Sequence, residues 1–149
     1  MKKLISIFAL LLMVLSLCTA CSPQYKDGVY HAEFSAFDEH GWKEYVDVQV
    51  ADGKVIVLTF DGVNVESKKK SEDEASRSNM EPVEGTYPAK FYADITNQYL
   101  ESGKLKDVDT VAGATVSTDN FKTLMNALDK NMKDGTTAVL IVEQSVNSK

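Results

Sequence analysis

The chain has 149 residues, 44 % of them hydrophobic, with 22 acidic side chains against 16 basic and a net charge of −6. That length holds one domain of ordinary size plus a targeting segment. The acidic balance argues against a nucleic-acid binder, and two cysteines with two histidines are too few for a disulfide framework, a thiolate metal site or a His-rich metal cluster.

Lys2 and Lys3 form a short basic start, and Leu4 to Leu17 is apolar apart from Ser6 and Ser16. Cys18-Thr19-Ala20-Cys21 follows. The run is too short for a spanning helix and ends in small residues, as a secretory signal does. A cysteine directly after Thr-Ala looks like a bacterial lipoprotein signal, cleaved before Cys21, which then carries the lipid; cleavage after Ala20 as a plain signal peptide is the alternative. The expected organisation is a signal peptide over 1–20, a lipidated Cys21 and tether over 21–26, one domain over 27–143 and a polar tail over 144–149. Removing 1–20 takes two of the 16 basic side chains and no acid, leaving a net charge of −8. The mature chain is expected on the extracytoplasmic face of the cell membrane, held by acyl chains and not by a basic patch.

The first strand is expected over Gly28 to Phe34. Asp38-Glu39-His40-Gly41 reads as a turn. Val46, Val48 and Val50 alternate with Asp47 and Gln49 in a half-buried strand, and Asp52-Gly53 is a hairpin signal because both residues tolerate positive φ. Val55 to Phe60 returns, and its unbroken Val55-Ile56-Val57-Leu58 suggests a strand covered in part on both faces. Lys68-Lys69-Lys70 meets Glu72-Asp73-Glu74 in a charged loop. Ser71 with Glu74 fits a capping box for a short helix from Glu72 to about Met80. Pro88 opens a second helix with Phe91, Tyr92, Ile95 and Tyr99 on one side, ended by Gly103. Phe121, Leu124, Met125, Leu128 and Met132 have helical spacing, in a helix from about Asp119 that stops near Gly135. Ala138 to Val142 is a last apolar strand. The order predicts an α+β domain, an antiparallel sheet with helices packed on one side.

The stretch from Asp109 to Thr118 (Asp-Thr-Val-Ala-Gly-Ala-Thr-Val-Ser-Thr) is small, hydroxyl-rich and leads into that long helix. A helix start offers free N–H groups and the positive end of the dipole, which suit a phosphate. Gly113 permits close backbone approach, Thr115 adds a hydroxyl, and Val116 and Ser117 follow in the first turn. The plain alternative is a loop with Ser117, Thr118 or Asp119 as N-cap.

Asp109-Thr110-Val111-Ala112-Gly113-Ala114-Thr115 resembles the flavinylation motif of the FMN-binding domain family, which includes subunits C and G of sodium-pumping and Rnf-type electron-transport complexes. That motif reads Asp, two variable residues, Ser or Thr, Gly or Ser, Ala, Thr, so Ala112 departs from it. With Asp38-Glu39-His40-Gly41-Trp42-Lys43, Lys70-Ser71-Glu72-Asp73-Glu74 and Asn120-Phe121-Lys122, the chain from about Asp27 to Val142 is similar to small FMN-binding lipoproteins of the membrane-anchored major-immunogen type. The resemblance implies FMN as cofactor, esterified through its phosphate to Thr115 by a flavin transferase. It also implies an unidentified redox partner and a role as electron carrier more than as an enzyme with its own substrate. Asp109 is the first motif position, with loop capping as its ordinary role.

Trp42 is a candidate to line the flavin pocket, or else a core aromatic. Tyr30, Tyr45, Tyr87, Tyr92 and His40 are weaker candidates. Asp61, Glu66, Glu72, Asp73 and Glu74 lack the ligand spacing of an EF-hand loop and read as a solvated face. No catalytic constellation and no metal site is expected. Two other readings stay open, a lipoprotein that binds a ligand or protein partner, and one that binds FMN reversibly.

Overall fold

Asp52 and Gly53 adopt φ of 52° and 72°, the positive values a two-residue hairpin turn demands, and they join the two longest strands of the domain. The computed structural model describes residues 25–144. Strands β1 (Gly28–Phe34), β2 (Lys43–Ala51) and β3 (Lys54–Val63) are followed by helices α1 (Glu74–Glu84), α2 (Pro88–Ser102) and α3 (Thr115–Asp134), and by β4 (Leu140–Val142). The sheet order is β3-β2-β1-β4. The first three strands are antiparallel, and β4 lies parallel to β1. This is the expected α+β domain with one refinement. The crossover through the helices returns the chain in the same sense as β1, so the last strand adds in parallel.

One sheet face makes the core. Tyr30, Ala32 and Phe34 of β1, Val46, Val48 and Val50 of β2, and Leu58 and Phe60 of β3 are buried. Phe91, Tyr92, Ile95 and Tyr99 of α2 and Phe121, Leu124, Met125, Leu128 and Met132 of α3 pack on that face. Each such apolar side chain contributes about 2 kcal/mol on leaving water. Phe60 joins the layers, with its ring centroid 4.8 Å from Tyr92 and 5.2 Å from Phe121. The opposite face is open. Val29 there is 62 % exposed, so the inward residues of β1 are Tyr30, Ala32 and Phe34.

The apolar run of β3 is not covered on both faces, since Ile56 and Val57 are half exposed. Val50 pairs with Val55 but Gln49 pairs with Val57. Ile56 is therefore the extra residue of a β-bulge, and the unbroken apolar run reflects that insertion and not double burial.

Asp73, not Ser71, caps α1, accepting from Ser76 N–H at 2.8 Å. Ser71 turns instead to Asp61, donating its hydroxyl at 2.6 Å and its N–H at 3.1 Å. Asp61 also accepts from Gly62 N–H at 2.7 Å and is buried. It ties the charged loop to the end of β3 and does not belong to a solvated face. Helix α2 begins at Pro88 and ends on left-handed Gly103, as the residue pattern required. Residues 1–24, with the signal and Cys21, lie outside the described residues, as does the tail from 145 on.

Candidate functional site

Helix α3 starts at Thr115, four residues before the expected Asp119, with Ala114 as N-cap and no side chain capping it. Ser117 and Thr118 lie inside the first turn and are buried. Thr118 knots the preceding loop. Its hydroxyl donates to Ala114 O at 2.9 Å and accepts from Val111 N–H at 3.2 Å. Ala114 N–H closes the turn on Val111 O at 3.0 Å. The Thr118 hydroxyl, which could have capped the helix, is thus spent holding the loop. Among the described residues, the N–H groups of Thr115, Val116 and Ser117 have no acceptor, and Thr115 is exposed with no partner for its hydroxyl.

Gly113 sits at φ +74°, and a Cβ there would come within 2.9 Å of both Glu84 Cβ and Thr86 Cγ2. Glycine is required here by the close passage of the α1–α2 connection as much as by the backbone angle.

The first turn of α3 is anchored to the sheet by Glu44. This carboxylate, on the core face of β2, accepts from Ser117 Oγ at 2.6 Å, Tyr92 Oη at 2.9 Å and Asn120 Nδ2 at 2.7 Å. Burial, then the neighbouring Glu44 charge, holds the Tyr92 phenol well above its ordinary pKa.

A cavity of about 650 Å³ opens over this turn, within the range of small-molecule sites. Its floor is Gly113, Ala114, Thr115, Val116 and Ser117, and Phe91 and Met80 add apolar wall. Asp38, Glu39, Glu44 and Glu84 also line it, with Lys70 and His40. Asp38 Oδ1 accepts from the N–H groups of His40 and Trp42 at 2.9 and 2.8 Å; Asp38 is half-buried, and Glu39 and Glu84 are exposed.

Five of the expected site residues therefore meet in one place, from Gly113 to Ser117. Ala112 is exposed and is not among the lining residues. Asp109 is also absent from the lining; its backbone is held by Gln98, its N–H donating to Gln98 Oε1 at 2.7 Å and its carbonyl accepting from Gln98 Nε2 at 3.4 Å. Trp42 is buried and lies outside the lining, its ring 5.9 Å from Lys70 Nζ. Tyr30 and Tyr92 are core, Tyr45 stacks near His31, and Tyr87 lies under Arg77. Glu44, Lys70, Met80, Glu84 and Phe91 were not expected. Glu44 had a signal, since it has the same parity as Val46, Val48 and Val50 and so must point into the core.

No family model matches the chain. The chain is 35 % identical over 135 residues to the "15 kDa lipoprotein" of Treponema pallidum (strain Nichols), across 90 % of this chain and 94 % of that protein. The chain belongs to this lipoprotein family. The CPE2226 protein from Clostridium perfringens, known from a crystal structure, shares its fold at a TM-score of 0.76 and 30 % identity, over 80 % of this chain and 98 % of that one. Membership supports a membrane-anchored lipoprotein. No described helix is long and apolar enough to cross a membrane.

Proposed function

We propose that this lipoprotein is an extracytoplasmic flavoprotein, anchored through Cys21, that carries FMN on Thr115 and passes electrons. The observation that carries the reading is the uncapped start of α3, with three N–H groups free and an unpartnered Thr115 hydroxyl beside them at the floor of the cavity. Such a terminus favours a phosphate through its donors and its dipole. FMN, when bound, supplies the redox chemistry. The chain's own residues position it. Thr115 Oγ1 would carry the phosphate ester, made by a separate flavin transferase from an activated, dinucleotide form of the flavin: the hydroxyl loses its proton, its oxygen bonds to the FMN phosphorus, and the pyrophosphate bond breaks to release the nucleoside monophosphate. The N–H groups of Val116 and Ser117 would hold the phosphate, Glu44 keeps their turn in place, and Phe91 and Met80 would give the ring system an apolar wall.

The lining favours covalent over reversible holding. One lysine faces several carboxylates, which weakens capture of free, doubly charged FMN. The ester removes one phosphate charge and keeps the flavin whatever the affinity.

Co-expression with a flavin transferase, followed by denaturation and intact-mass measurement, tests the reading. Flavin should stay with the chain, and Thr115→Val should lose it. A wild-type chain without an FMN adduct under those conditions would end the covalent version. If neither FMN nor riboflavin then bound in a fluorescence titration, the binder of some other ligand or partner would stand in its place.

A further inference from the structure

The chain enters the fold at the end of α3 opposite Thr115. Lys26 N–H donates to Met132 O at 2.8 Å, in the last turns of α3. Tyr30 Oη closes on Lys26 O at 2.7 Å, and Tyr25 Oη donates to Asp129 at 3.0 Å. Asp27 accepts from Gly53 N–H at the hairpin tip, at 3.1 Å. These four bonds fix where the tether must leave the domain. Four residues carry the chain from Cys21 to Tyr25, a reach of about 14 Å at most. From Met132 back to Thr115, α3 rises about 26 Å.

We infer that the end of the domain holding Tyr25, Lys26 and the hairpin turn rests on the lipid surface, and that the cavity opens on the far, aqueous side. The partner of the cavity then reaches it from water and not from within the bilayer. A carrier dissolved in the hydrocarbon cannot meet a site held a helix length above the headgroups.

Charge agrees with this placement. At the anchor end, exposed Lys26, Lys54 and Lys104, which make no ion pair among the described residues, balance Asp27, Asp52 and Glu101. The cavity carries four carboxylates and one lysine. An anionic bilayer tolerates the first end and repels the second, so the domain stands upright on its short tether and does not lie flat.

The inference rests on Cys21 as the lipidated residue, and the experiment separates the two. The full lipidated protein, with Glu101→Cys at the anchor end or Val83→Cys beside the cavity, is labelled with an environment-sensitive fluorophore. It is then placed in phosphatidylcholine–phosphatidylglycerol vesicles carrying a headgroup spin label. The Glu101→Cys label should be quenched by the lipid. The Val83→Cys label should be quenched by aqueous iodide and escape the lipid quencher. Equal lipid quenching at both positions, in protein that floats with the vesicles, overturns the orientation and leaves the anchor standing. Protein that does not float, with an unmodified Cys21 by intact mass, overturns the anchor and the orientation with it.

Discussion

Replacing Glu44 with alanine should cost the domain about 3 kcal/mol, because three donors lose one shared acceptor and each buried donor left unsatisfied costs about 1 kcal/mol or more. Tyr92 and Ser117 are buried and Asn120 half-buried, so none of the three can turn fully to water. Glu44→Gln separates charge from geometry. Its one remaining oxygen still accepts from both hydroxyls, and Asn120 can rotate its amide to accept from the new one, so this variant should lose only about 1 kcal/mol, the net worth of an ordinary hydrogen bond. Urea unfolding followed by Trp42 fluorescence reads both. At an unchanged slope of about 2 kcal/mol/M, the alanine midpoint should fall by about 1.5 M and the glutamine midpoint by about a third of that. Hydrogen exchange should quicken in the alanine variant over residues 118–121, whose N–H groups bond to the carbonyls of the first turn. An alanine midpoint no lower than that of glutamine would show that Glu44 does not hold the first turn of α3, and the reasoning about the site floor would fall with it.

Gly113→Ala should cost about 1–2 kcal/mol for the left-handed backbone and about as much again for overlap with Glu84 and Thr86. Gly85→Ala, also at positive φ but with nothing within 4 Å, should cost only the first part, and thermal melts of the pair separate the two effects. The Lys68 side chain, then Ser76 N–H, hold the Asp73 carboxyl down to about 2, below its ordinary 3.8. Its cap on α1 is therefore complete above pH 4 and lost as pH falls through about 2. Asp73→Ala should cost about 1 kcal/mol, seen as faster exchange confined to residues 74–84, since α1 buries no residue. At the alkaline end, burial raises the phenols of Tyr25, Tyr92 and Tyr99 and brings Tyr45 up to about 12. The stability linked to them is intact below pH 10 and falls as pH rises above it. Phenolate absorbance should appear together with loss of structure, and titration of all the tyrosines in a still-folded protein would contradict this.

The hairpin was legible because Asp52-Gly53 acts locally, and α2 because Pro88 and Gly103 mark its ends. The apolar spacing of α3 was legible for the same reason, being a property of one helix face. Its start was not. Two hydroxyls and a carboxylate, Ser117, Thr118 and Asp119, suggested a capped helix beginning near Asp119, but tertiary partners took the two hydroxyls. Ser117 went to Glu44, on a strand 73 positions away, and Thr118 to the loop behind it. The same competition moved the cap of α1 from Ser71 to Asp73 once Asp61 had taken Ser71. The floor of the site, Gly113 to Ser117, could be read from one contiguous stretch. Its walls come from the β1–β2 loop, β2, the turn at Lys70, α1 and α2; of these, His40 stood among the weaker candidates, and the inward parity of Glu44 hinted at one more.

The short last strand has a consequence for a protein held on a surface. Chains tethered to a membrane are confined to two dimensions and meet one another at high effective concentration, where a long free strand edge invites sheet-to-sheet addition. Here one edge of the sheet is β4, only three residues long. The other, β3, is bent by the Ile56 bulge and partly closed by the Val63–Lys69 bridge. Among the described residues neither edge offers a long flat ladder to a neighbour, so the lipoprotein can crowd a membrane without its sheets joining into a common one.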